Sequence, residues 1–351
     1  MINKLKIYFL FTALTLTFFS CRKDAPPTLT KQGSISASKR LLICDEGAFG
    51  FNEADISIYD PETNATIIKA YASANSNQNL GDVLQSVTKY NDNYYLVVNN
   101  SGKVVVCDKN FKRLSTISGF ISPRYMQVVS NNKAYVSNFV IPTQANQTNY
   151  IQVVDINANI ISKSIRIYGW TEEMVQSYGK VYIANQYKNY VYVIDASNDK
   201  LDSIFVGATS ACIVKDENEK IWVSCNADAA HNINAKLVKI NPLLDSVEAT
   251  ISLNTTQNSI SHLCINGAGN TLYYLMNDVF KMDIGSTTGT NIIQQGTRSF
   301  YGLCIDPNDE TIYVSDPGNF NANGKLYRYQ NNYKLIGTYS VSIGPGTMLF
   351  D

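Results

Sequence analysis

Seven short segments of alternating apolar residues divide the chain at a nearly constant interval. They are ISIYD ending at Asp60, VVVCD at Asp108, IQVVD at Asp155, VYVID at Asp195, KLVKIN at Asn241, DVFKMD at Asp283 and KLYRYQ at Gln330. Their end points lie 48, 47, 40, 46, 42 and 47 residues apart. A period of about 40–50 residues is the length of a four-stranded propeller blade. Few other architectures repeat at that length, so the interval constrains the fold more than any other feature of the chain.

A second series keeps step with the first: LLICD ending at Asp45, then LVVNN, YVSNF, YIANQ, WVSCN, YYLMN and YVSDP, the last starting at Tyr313. Bulky and β-branched residues at period two fit pleated, half-buried strands. Helical spacing is scarce after residue 39, and the stretch Thr171 to Ser177 reads as a loop entering a strand. In the fourth repeat the strands are expected near 173–178, 180–185, 190–195 and 201–206. The first repeat lacks an inner strand, and the last leaves VSIGPGTMLFD over. A segment around Thr347 to Phe350 would complete the first blade and close the ring, removing free sheet edges. The expected fold is therefore all-β: a seven-bladed β-propeller of four-stranded antiparallel blades over residues 39–351.

Lys plus Arg balance Asp plus Glu at 29 each. Nucleic acid is thus not expected as a partner, because phosphate binding needs excess basic charge. Lys4 and Lys6 precede an apolar run from Ile7 to Phe19 that is too short to span a bilayer as a mature helix. Residues 1–20 read as a lipoprotein signal peptide, and Phe18-Phe19-Ser20-Cys21 resembles a lipobox with Cys21 as the lipidated residue. Residues 21–38 are polar and read as a flexible tether. The six remaining Cys lie in strand-like runs without CxxC spacing and are expected as small buried apolar residues. With only two His, a His-based metal site is not expected.

One set of connections is short and rich in Asn, Asp and Gly, as hairpin turns require. The other set is long: 46–54, 139–149, 226–234 and 317–324. Long loops on one face of a rigid scaffold are where function concentrates. The candidate ligand-binding residues there are Phe49, Phe51, Asn52, Gln85, Asn100, Arg124, Tyr125, Phe139, Trp170, Glu172, Tyr187, His231, Tyr301 and Phe320. Phe120, Tyr168 and Phe300 belong to the same aromatic set, and about half of the set is expected in the core. Phe49, Phe51, Trp170 and Phe320 are expected to be exposed. Rings and amides together suit a large, flat, partly polar ligand. The Glu172-Glu173 pair reads as a solvated loop. The Asp or Asn ending each repeat reads as a turn cap, and DENE (216–219) and DPNDE (306–310) as hairpin turns rather than calcium loops. There is no GxSxG, HExxH or Walker-type motif, so no cofactor and no catalytic residue is assigned.

The segments CDEGAFGFNEADISIYD, NLGDVLQSV, VVNNSGKVVVCD, SPRYMQVV, WTEEMV and VYVIDASNDKLDSIFVG together resemble the YncE-like, seven-bladed propeller lipoproteins of Bacteroidetes. That family includes BtuG-like cobalamin-binding and siderophore-binding members. The resemblance implies a protein anchored by lipid in the outer membrane and facing the cell surface. It would capture a metal complex, a corrinoid or a ferric siderophore, and deliver it to a TonB-dependent transporter without turnover. A propeller enzyme with an axial metal, lactonase-like or lyase-like, and a protein-interaction scaffold stand as alternatives, since fold does not fix function.

Overall fold

The computed structural model describes residues 40–140 and 148–351. The proposed signal peptide, Cys21, the tether and residues 141–147 of one long loop lie outside the described residues. The described chain forms seven four-stranded antiparallel sheets. The second strand of each blade, counted from the axis, is almost wholly buried, as in Leu41–Asp45, Asn93–Val98 and Ile221–Cys225. Each outermost strand is largely exposed, as in Lys200–Phe205 and Ser246–Ser252. Burial therefore peaks in the second and third strands and falls toward the rim, while the innermost strands are only partly covered, which explains why the two repeated segments are apolar and the outer strands polar.

The first sheet joins the two ends of the chain. Pro345–Phe350 pairs antiparallel with Leu41–Asp45, with Leu41 opposite Phe350 and Ile43 opposite Met348. Tyr59, Tyr313, Leu326, Val341 and Met348 pack with Leu41 and Ile43 in one cluster, so the seam is apolar through its depth. The inner strands of successive blades touch one another, and Leu303–Ile305 of the seventh returns to Pro345–Phe350 of the first. The expected closure is thus observed.

The fourth blade comprises Thr171–Ser177, Lys180–Asn185, Tyr190–Asp195 and Lys200–Phe205. Residues 171–177 are therefore strand along their whole length rather than a loop. A short helix, Ala70–Ala74, was not legible in the sequence. At five residues it is too short to show periodicity or to stand alone. It is held by Asp55, whose carboxylate accepts the backbone N–H groups of Tyr71 (2.9 Å) and Ala72 (3.2 Å).

Turn chemistry follows the sequence reading except at Asp283, whose carboxylate accepts Thr271 Oγ1 at 3.0 Å rather than a turn N–H. Asp60, Asp108, Asp155 and Asp195 each accept a backbone N–H two residues on, at 2.8–2.9 Å, and Asn241 does so at 3.1 Å. Asp216 caps its own hairpin through the N–H groups of Asn218 and Lys220 and also receives Trp222 Nε1 at 2.9 Å. The six described cysteines are free thiols on strands, four of them buried and Cys264 and Cys304 half-buried.

Candidate functional site

Inner strands of a propeller run along the axis, and ordinary alternation would turn every second side chain into the blade. Here the alternation breaks at one level. The inner strand slips register between Leu84 and Ser86, Pro123 and Met126, Thr171 and Met174, and Ser210 and Ile213. In the first blade the slip falls opposite Ile43 and Asp45. The residues freed by these bulges are Gln85, Arg124-Tyr125, Glu172-Glu173, Ala211-Cys212 and Gly346-Thr347. All of them line an axial well of about 140 Å³, together with Glu46, Gln186, Ser261, His262 and Tyr301. Bulges re-aim side chains in this way at functional sites.

The second sequence repeat supplies the support for these bulges. Its serines accept N–H groups that two of the bulges leave unpaired, Tyr125 N–H to Ser137 Oγ (3.1 Å) and Cys212 N–H to Ser224 Oγ (3.0 Å), and Ser315 Oγ accepts the N–H of Gly302 (2.8 Å) just before the inner strand of the seventh blade. Side chains also stitch one inner strand to the next. Ser86 Oγ donates to Arg124 O at 2.7 Å, Cys212 Sγ to Ser261 O at 3.3 Å and Cys264 Sγ to Leu303 O at 3.1 Å. The well is thus walled by a bonded ring, and its geometry is fixed before any ligand arrives.

Charge concentrates at one side of the well. Arg124 Nε donates to Glu172 Oε2 at 2.9 Å, and Nη1 donates to Gln85 Oε1 in a short bond. Glu172 is only 3% exposed, so the expected solvated pair is instead a buried ion-pair partner and its neighbour. Glu173 Oε2 accepts the N–H of Ile213 at 3.0 Å, and Tyr301 OH donates to Glu46 Oε1 at 3.0 Å. Burial raises the pKa of Glu46 and Glu172 despite hydrogen bonds that oppose it, and burial pushes Glu173 up to about 8. Burial likewise lowers His262 to about 4. For Arg124 burial opposes the charge, and the carboxylates of Glu172 and Glu46 with Tyr125 outweigh it, so the guanidinium is held more firmly protonated than usual.

A wider recess of about 370 Å³ opens beside the well and shares Glu46, Gln85, Arg124 and Tyr301 with it. Phe49 and Phe320 line this recess. Phe320 packs edge-on to Tyr301 with centroids 5.3 Å apart. Phe49 and Phe51 are 74% and 71% exposed, as expected, whereas Trp170 and Phe320 are half-buried. Trp170 is sandwiched by Phe139 (4.6 Å) and Tyr187 (6.5 Å), and Arg124 lies 5.8 Å from the Phe139 ring centroid. Phe120 and Phe300 are core residues.

Of the sequence-predicted residues, Gln85, Arg124, Tyr125, Glu172 and Tyr301 meet in the well, and Phe49 and Phe320 in the recess beside it. Phe139, Trp170 and Tyr187 form an aromatic arc reached through Arg124. Asn52 is exposed on the loop of Phe51, and Asn100 is bonded to Asp82. His231 stands apart, in a recess of about 320 Å³ with Asn189, Thr209 and Asn226, its Nδ1 2.6 Å from Asp228. Glu46, Glu173 and His262 were missed as well residues. A signal was available, since they occupy the level at which other repeats place Gln85 and Arg124. Among the described residues no three His, Cys, Asp or Glu side chains converge on a metal position. Neither histidine there bonds a hydroxyl or a thiol.

Similar folds are known. A quinonprotein alcohol dehydrogenase-like protein from Bacteroides thetaiotaomicron superposes with a TM-score of 0.69 at 16% identity, covering 89% of this chain and 78% of its own. A functionally unknown protein from Desulfotomaculum acetoxidans gives 0.68 at 14% identity, covering 89% of this chain and 99% of its own. Apo AztD from Citrobacter koseri gives 0.56 at 12% identity, covering 89% and 97%. At these identities the likeness is one of fold. No curated protein matches the sequence. The model of one family matches residues 39–344, and the chain accordingly belongs to the family described as Domain of unknown function (DUF5074).

Proposed function

We propose that this protein is a YncE-like lipoprotein of the outer-membrane surface that captures a metal-complex nutrient at its axial mouth and hands it to a TonB-dependent transporter. The observation that carries the reading is the convergence of all seven blades on one rigid, amide-, charge- and aromatic-lined mouth. Pre-formed walls lower the ordering cost of binding. The mouth lacks an activated nucleophile, which favours capture without turnover.

Between the two ligand classes, the charge of the mouth favours a corrinoid. The one guanidinium there is already compensated by Glu172, so a strongly anionic ferric catecholate would find no free positive charge, whereas a neutral, amide-bearing corrinoid would meet hydrogen-bonding partners. Either ligand exceeds the well and would rest across the wider recess against Phe49 and Phe320. Arg40 precedes the first strand and Glu46 follows it, so residue 40 and the mouth lie at opposite ends of that strand.

Incubation with cyanocobalamin or ferric enterobactin followed by gel filtration tests the reading. Red colour should travel with the protein, and binding should survive chelator treatment. If neither coloured ligand co-elutes, the capture reading fails.

A further inference from the structure

The axial well is too small for the ligand that the mouth would hold. Its volume of about 140 Å³ lies below the roughly 300 Å³ at which sites for whole small molecules begin. Only a substituent can enter it. We propose, resting on the capture reading above, that the well is a receptor for a primary carboxamide arm of the ligand, and that Arg124 sets this preference.

The well has unfilled hydrogen-bonding capacity. A guanidinium carries five N–H donors. Arg124 uses one on Glu172 and one on Gln85, and the others have no partner among the described residues. Opposite it, Glu173 spends one oxygen on Ile213 N–H and Glu46 spends one on Tyr301 OH, leaving an acceptor oxygen on each. His262 Nδ1 is buried in the same wall with no hydrogen-bond partner. The well therefore offers donors on one side and acceptors on the other.

Charge then selects among the groups that could fill it. A carboxylate or phosphate would find Arg124 already compensated by Glu172 and would lie against the Glu46 carboxyl. An ammonium would be set against the guanidinium. A neutral group with an acceptor oxygen and donor hydrogens in one plane satisfies both sides, and a primary carboxamide is that group. Specificity of this kind is steep, because an analogue lacking the donor leaves buried polar atoms unpaired.

Two experiments separate this inference from the capture reading. Saturation-transfer NMR with benzamide and benzoate probes the well alone. Benzamide should give a protein-dependent signal and benzoate should not, and the benzamide signal should vanish in Arg124→Met and fall in Arg124→Lys, which keeps the charge but loses the fork. Both variants should retain the wild-type circular dichroism. Equal signals from the two probes, no benzamide signal, or a benzamide signal unchanged in a folded variant would overturn the proposal.

Calorimetric titration with cyanocobalamin and its monocarboxylic acids, made by hydrolysis of single amide arms, probes the whole mouth. At least one acid isomer should bind more than tenfold more weakly than the parent, and Glu46→Gln should restore part of that loss. Corrinoid binding with every acid isomer within threefold overturns the carboxamide receptor. Benzamide selectivity without any corrinoid binding supports the receptor and overturns the choice of corrinoid.

Discussion

Arg40 donates through Nε to the Asp351 carboxylate at 2.9 Å, although 311 positions separate the two residues. The same carboxylate receives Lys89 from the second blade, and Arg40 reaches Tyr94 OH at 3.1 Å. The two ends of the described chain and the neighbouring blade are thus locked at one point. The pair sits beside the strand exchange that closes the ring, where Leu41 and Phe350 stand opposite one another.

Deleting residues 343–351 should open the ring. It removes the inner strand of the first blade and uncovers Leu41, Ile43 and Tyr59, which are buried in the intact protein. The loss of a buried strand costs several kcal/mol, and for a domain of about 300 residues each kcal/mol moves Tm by about 1–2 °C. Differential scanning calorimetry should show a fall of at least about 5 °C. An unchanged Tm would contradict the closure.

Asp351→Asn should cost about 1–3 kcal/mol at neutral pH, as for a lost charge-assisted bond. Burial raises the Asp351 pKa, but bonds from Lys89, Tyr94 and Arg40 outweigh it and hold the carboxyl below its ordinary value. A depressed carboxyl contributes stability above its unfolded pKa and loses it as pH falls through the folded value. The gap between wild type and Asp351→Asn should therefore be full at pH 6–7 and close below about pH 4, as read by chemical denaturation across pH.

Glu173 has the opposite sign. Its folded pKa is raised to about 8, so its contribution is most favourable below the unfolded carboxyl value and is lost as pH rises toward 8. Glu173→Gln should match wild type near pH 4.5 and exceed it in Tm at pH 8–9. A variant equal to wild type across that range would show that the carboxyl is not held protonated.

Ser224→Ala and Ser315→Ala should each destabilise by about 1–3 kcal/mol, because the N–H groups of Cys212 and Gly302 would be left buried and unpaired. The exposed Ser246→Ala should change stability by less than about 0.5 kcal/mol. Urea midpoints compare the three directly.

Phe49→Ala and Phe51→Ala should leave Tm within about 1–2 °C of wild type, since both rings are exposed. Their loop is pinned by Gly50 N–H to Asp82 at 2.9 Å and by Ala54 N–H to Gly81 O at 3.0 Å. A ring held out to solvent on a fixed loop is suited to contact, so Phe49→Ala should weaken corrinoid binding at least tenfold in calorimetry.

Much of this was legible from the chain. The seven repeats, the strand swap by the tail and the Asp and Asn turn caps depend on period-two alternation and on bonds spanning two to four residues, which a sequence displays directly. The aromatic content of the mouth was legible for the same reason: long loops between regular strands have nowhere else to go. What could not be read was direction. Glu172 and Glu173 look like a polar turn in sequence, yet a bulge turns one toward Arg124 and the other toward Ile213 of the next blade. Phe120 and Phe300 look like loop aromatics, yet each fills a gap between blades. His231 has the composition of a site residue and lies in a different recess.

The sequence by itself determined the number of blades, their strand order and the closure, because each is written in local alternation repeated at a fixed interval. Only the tertiary structure decided which side chains share the axis. Residues some 40 positions apart meet there through register slips a single residue long, and a slip that small leaves no trace in hydrophobic pattern while reversing the direction of every side chain it touches.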